Sequence, residues 1–234
     1  IKQRAPDMSN KPVFSSAVNM DPAASIASTN KVLSNTYWLL GLTLAFSAFT
    51  AMVSVMMNLP QSMAFILMLV GFGLLFVVHK MADSAKGLPA IFAFTGVMGA
   101  SLGPMLSFYL AMEKGPSMVL QALGGTALIF FSLSAYALTS KKDFSYLGGF
   151  LMTGLIVAVV AMIANIFLAI PLLSVTISAV VVMIMSGLIL FDTSRIIQGG
   201  ETNYIRATVG LYLSIFNIFV HLLHLLAVFT GGDD

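Results

Sequence analysis

The stretch Val180-Val-Val-Met-Ile-Met-Ser-Gly-Leu-Ile-Leu-Phe-Asp192 decides the fold: apolar and small residues run without a break into a carboxylate. Upstream, no charged residue occurs back to Phe144. That run is too long for one crossing of a bilayer core, which takes roughly 20 helical residues, so Pro171 is read as the break between two spans. Asp192 is the one acidic residue of nine that sits inside an apolar run. A carboxylate at mid-bilayer costs roughly 2.5 kcal/mol or more, which makes it a functional-site candidate by default. A second reading stays beside it: Asp192 lies near a helix end and snorkels to the headgroups or pairs with Arg195.

Composition agrees with the membrane reading. Hydrophobic residues form 59% of the chain and charged residues 9%, whereas a soluble domain carries roughly 25% charged residues. There is no cysteine, so disulfides and thiolate chemistry are excluded. The all-α, polytopic class follows, with spans expected near Tyr37–Met57, Ser62–His79, Leu88–Ala111, Ser117–Thr139, Phe144–Ile170, Leu172–Phe191 and Asn203–Thr230. Residues 37–230 therefore form the transmembrane domain.

The loops are short, so the distribution of lysine and arginine orients the chain. Lys2, Arg4, Lys11 and Lys31 precede span one; Lys80 and Lys86 follow span two; Lys141 and Lys142 follow span four; Arg195 and Arg206 flank the last connection. Lys114 alone falls on the other side. This asymmetry predicts a cytoplasmic N-terminus and an external C-terminal tail at 231–234, and it accounts for a pI of 8.9 without any nucleic acid. Residues 1–36, rich in Ser, Asn, Pro and Ala, read as a mostly disordered cytoplasmic tail. Span one is too long and too late for a cleaved signal.

Small residues mark the third span, Gly96-Val-Met-Gly99-Ala-Ser-Leu-Gly103-Pro104. Gly96, Gly99 and Gly103 leave a groove for close helix approach, and packing alone is a sufficient explanation of it. Pro104 lacks an N–H and predicts a kink or break. His221 and His224, three apart, share a helix face; packing is preferred to a metal site because no acid or cysteine lies nearby in sequence. The sixteen methionines read as core filler. No nucleophile-plus-base set, phosphate loop or HExxH pair is present, so neither catalysis nor a cofactor is expected.

Gly99-Ala-Ser-Leu-Gly-Pro-Met-Leu106 and Ala122-Leu-Gly-Gly-Thr-Ala-Leu-Ile-Phe130 resemble the signature of the Bax inhibitor-1 family of membrane proteins. Lys142-Asp-Phe-Ser-Tyr-Leu-Gly-Gly149, Ala164-Asn-Ile-Phe167 and Gly199-Gly-Glu-Thr-Asn-Tyr-Ile-Arg-Ala-Thr208 are similar to its bacterial branch. The resemblance implies seven transmembrane helices with the last one surrounded by the other six, in a bacterial inner membrane. It also implies one of two activities. One is association with the membrane AAA+ protease FtsH, modulating the turnover of other membrane proteins, with the N-terminal tail as the engaged segment. The alternative is a pH-sensitive leak for calcium or other cations, built on an aspartate pair in spans six and seven.

Asp192 matches the first aspartate of that pair, but the second position falls at Ser214. Two carboxylates sharing a site resist joint ionisation and so sense protons; one does not, and it also offers a hard cation too few anionic oxygens. Asn217 is a candidate neutral oxygen donor, or an interhelical hydrogen-bonding residue. Lys80 resembles a basic latch partner of the family leaks, with Lys86, Arg195 and Arg206 as rivals. The missing second aspartate ranks protease modulation above the leak.

Overall fold

The structure is a computed structural model that describes residues 22–140 and 142–230, with side chains from Ala27 onward. Seven helices follow in order: α1 (Pro22–Met56), α2 (Gln61–Met81), α3 (Gly87–Leu110), α4 (Gly115–Ser140), α5 (Leu147–Leu168), α6 (Pro171–Ile197) and α7 (Tyr204–Thr230). Each is long and apolar enough to cross a membrane. The all-α, seven-span architecture expected from the sequence is the one observed, and it makes the chain a polytopic membrane protein.

The break at Pro171 is a tight one. Ala169 takes a left-handed backbone conformation (φ 51°) and its N–H closes on the Asn165 carbonyl at 2.8 Å. Pro171 then opens α6 at a first-turn position, where a missing N–H costs nothing. Of the kink or break expected at Pro104, the break is absent: α3 runs through it as one helix. A proline removes the donor to the carbonyl four residues back, here Ala100, and that oxygen accepts instead from the Ser54 hydroxyl of α1 at 2.8 Å.

The glycine groove is the α1–α3 seam. A Cβ on Gly99 would overlap the Ser47 carbonyl oxygen and stand 2.7 Å from the Ser47 Cα. One on Gly103 would overlap the Ser54 side chain, and one on Gly96 would stand 2.7 Å from the Phe46 ring. Backbone-to-backbone approach of this kind drives helix association in lipid, where no hydrophobic effect separates helix from solvent.

α7 sits at the centre. α1, α3, α4 and α6 pack on it directly, while α2 packs on α3 and α5 on α6, so the surrounding helices form two shells. Leu211, Tyr212, Ile218 and Leu223 of α7 are fully buried. α1 begins at Pro22, well before the start expected at Tyr37, and Thr36 is buried, its carbonyl accepting from Thr208 of α7 at 3.3 Å. The part of the expected tail at 1–21 and the segment 231–234 lie outside the described residues.

The loops that follow α2, α4 and α6 meet at one end. Asn203 caps α7 by accepting from Ile205 N–H at 2.9 Å, and its amide donates to the Ala82 carbonyl at 2.9 Å and to Asp83 at 2.8 Å. Ser194 accepts from Phe144 N–H at 3.0 Å and donates to the Lys142 carbonyl at 3.1 Å. Asp143 in that loop accepts from Ser145 N–H at 2.8 Å; hydrogen bonds from Ser145, side chain first, hold its carboxyl below the ordinary carboxylate range.

Candidate functional site: a carboxylate against the central helix

Asp192 lies five residues before the end of α6, about 8 Å in at the helical rise of 1.5 Å per residue. It faces α7 at Gly210. A Cβ built there would stand 2.7 Å from Asp192 Oδ2, so the carboxylate occupies space that a side chain at position 210 would contest. Among the described residues Asp192 forms neither a hydrogen bond nor an ion pair. The adjacent Thr193 hydroxyl is buried without a partner.

The basic residues proposed as latch partners are placed as follows. Arg206 pairs with Asp83. Arg195 approaches Glu201 at 3.7 Å and lies over the Phe191 ring at 5.4 Å. Lys80 and Lys86 are exposed and have no ion pair among the described residues. The sequence-based pairing of Asp192 with Arg195 therefore does not form: the guanidinium turns back toward the loop carboxylate, where both groups keep access to solvent.

Ser214 is buried one turn beyond Gly210 on the same face of α7. Asn217 follows, and its amide donates to the Leu213 carbonyl of its own helix at 2.8 Å. His221 and His224 continue the same face. His221 Nδ1 meets the Ser178 hydroxyl of α6 at 3.0 Å, and His224 Nδ1 meets the Tyr109 hydroxyl of α3 at 3.4 Å. Gly210, Ser214, Asn217, His221 and His224 thus recur at spacings of four and three, which is one continuous helix face. The two histidines line a cleft of about 370 Å³ at the end remote from Asp192, with Asn165 and Ser174 on its wall. Among the described residues no three His, Asp or Glu converge on a common point.

Chemically this is one carboxylate in a slot, not a carboxylate pair. It can hold a proton or a weakly bound cation, but it lacks the six to eight oxygens that calcium takes. Gly210, Ser178 and Tyr109 were missed in the sequence. The four-three recurrence on α7 is the signal that reveals the face, while its partners on α3 and α6 come only from packing.

Comparison with known proteins agrees with the fold. Residues 29–231 match the family model described as "Inhibitor of apoptosis-promoting Bax1". The chain is 57% identical over 210 residues to the Escherichia coli K12 protein named "Modulator of FtsH protease YccA", covering 89% of this chain and 94% of the relative. It is 46% identical over 225 residues to an uncharacterised membrane protein of Vibrio cholerae, covering 96% of the chain and all of the relative. It is 48% identical over 203 residues to an uncharacterised protein of Pseudomonas aeruginosa, covering 87% and 91%. With a family match across nearly the whole length and the signature residues seated in the α1–α3 seam and on α4, the chain belongs to the Bax inhibitor-1 family of membrane proteins.

Proposed function

We propose that this chain is an inner-membrane modulator of the AAA+ protease FtsH and is not itself a catalyst. The observation that carries the reading is the 57% identity, over 89% of the chain, to a relative whose name states that role. The chemistry supports it. Asp192 stands alone, with Ser214 where a leak would need its second carboxylate, so protease modulation is preferred to a calcium or proton pathway.

The physical account is one of unequal resistance. The segment before α1, rich in Ser, Asn and Pro, has the composition of a handle for such a motor, and the basic asymmetry predicts that it lies on the cytoplasmic side. The helices behind it are interlocked through the Gly99 and Gly103 contacts and the Ser54 hydrogen bond. A AAA+ motor that grips the handle meets a domain that yields slowly, and so stays occupied. Affinity purification of the full chain from membranes solubilised in mild detergent tests the association. FtsH is expected to co-purify above the level seen with an unrelated seven-span protein, and equal recovery from both would overturn the proposal.

A further inference from the structure

α1 and α4 both pack on α7 yet scarcely touch each other, and the space between them is a crevice of about 780 Å³. Its floor is α7, with Phe216 and Phe219; its walls run along α1 from Tyr37 to Val55. The rims carry exposed Met52, Leu123 and Phe131, so the crevice opens sideways into the membrane. At the end near the basic loops, the rings of Tyr37 and Phe130 close it, with centroids 6.0 Å apart.

Length and lining select the occupant. Eighteen residues of α1 between Tyr37 and Val55 span about 27 Å, close to the bilayer core thickness of about 30 Å. The lining is apolar along that length but for Tyr37, Ser47, Thr126 and Tyr212, which suits a hydrocarbon chain, about 4 Å wide from the contact distance between carbon atoms. The polar groups in the walls leave it nothing else to bind: Ser47 and Tyr212 hydrogen-bond each other at 2.8 Å, and Thr126 donates to the Ala122 carbonyl at 2.7 Å. The exception is the Tyr37 hydroxyl, buried without a partner at the closed end.

We infer that the α1–α4 crevice is a lipid site that takes one acyl chain of a membrane phospholipid, with the ester end toward Tyr37. An apolar void of this size does not hold water, and close packing disfavours leaving it empty, so a hydrocarbon chain completes the wall around α7. The site is separate from Asp192, which faces α7 from α6.

The test uses the full chain in nanodiscs of phosphatidylethanolamine and phosphatidylglycerol, doped with a phospholipid that carries a diazirine on its acyl chain. Crosslinked residues are read by mass spectrometry. Labelling is expected on Phe216 and Phe219, which belong to the central helix, are buried and line the crevice. Gly41 lines the crevice, and a Cβ there meets nothing within 4 Å, so Gly41→Phe starts from open space and directs its ring into the crevice. That variant is expected to lose the α7 label and keep the label on exposed Ile156 of α5. Gly41→Leu, a milder plug, is expected to weaken the α7 label. A parent chain with no label on α7, or α7 labelling undiminished in both variants, would overturn the site.

Discussion

The Ser54 hydroxyl donates to the carbonyl oxygen of Ala100 at 2.8 Å, the acceptor that Pro104 deprives of its own helical donor. A proline in a membrane helix is tolerated when a neighbouring helix supplies the missing hydrogen bond, and here α1 does so at the point where Gly103 lets it come close. The Gly-Pro step of the family signature is therefore one half of a two-helix lock.

Breaking that lock should cost stability in a graded way. Ser54→Ala is expected to cost about 0.6 kcal/mol, the average for interhelical hydrogen bonds in membranes, and at most about 1.7 kcal/mol. Gly99→Ala should cost more, about 1–3 kcal/mol, because the new methyl meets the Ser47 backbone, which cannot swing aside, as well as the Thr50 hydroxyl. Gly149→Ala, where a Cβ meets nothing within 4 Å, serves as the neutral control. Thermal unfolding in detergent checks the order; a Gly99→Ala protein as stable as Gly149→Ala would remove the seam from the account.

Topology is the second prediction. The asymmetry of basic residues predicts the α1 start in the cytoplasm and the end of α7 outside. Alkaline phosphatase fused after Thr230 should be active and the same fusion after Lys142 inactive. The reverse pattern would invert the proposed access of the protease to the N-terminal segment.

How much of this was legible in the sequence depends on whether a feature is local. Span positions follow from apolar length, and six of the seven starts fall within a few residues of those expected. The start of α1 does not, because Ala23 to Thr36 is polar enough to read as a tail, while its alanines and serines do not oppose a helix continuing from the membrane. Asp192 is visible as a lone acid in an apolar run, but its contact with Gly210 depends on the register of α6 against α7, which no local pattern encodes. Likewise Gly103 and Pro104 announce a special site, whereas Ser54, some fifty residues earlier, becomes meaningful only through packing. The encircled α7 came from family resemblance and not from periodicity.

A third prediction separates the two uses of the buried acid. Calcium flux through the parent chain in liposomes should stay at the empty-liposome level from pH 6 to 8, and Asp192→Asn should leave it there. Ser214→Asp adds a second carboxylate one turn beyond Gly210 and is expected to create calcium binding and a pH-dependent flux absent from the parent. A strong pH-gated flux in the parent would show that one carboxylate suffices and would reverse the ranking.

Deleting Lys2–Ala27 while keeping Ser28 onward should remove the handle together with the first six residues of α1, and leave the α1–α3 seam and the α7 contacts intact. Pulse-chase half-life in cells is expected to lengthen in the deletion variant, with unchanged thermal unfolding in detergent. An unchanged half-life would exclude that segment as the point of engagement.

The most direct test of the central claim is the half-life of an established membrane-protein substrate of FtsH, followed by pulse-chase in cells with and without overproduction of this chain. If the chain occupies the protease, the substrate's half-life lengthens when the chain is present, and the Lys2–Ala27 deletion changes the size of that effect. An unchanged substrate half-life, with the chain abundant and stably folded in the membrane, would contradict the account.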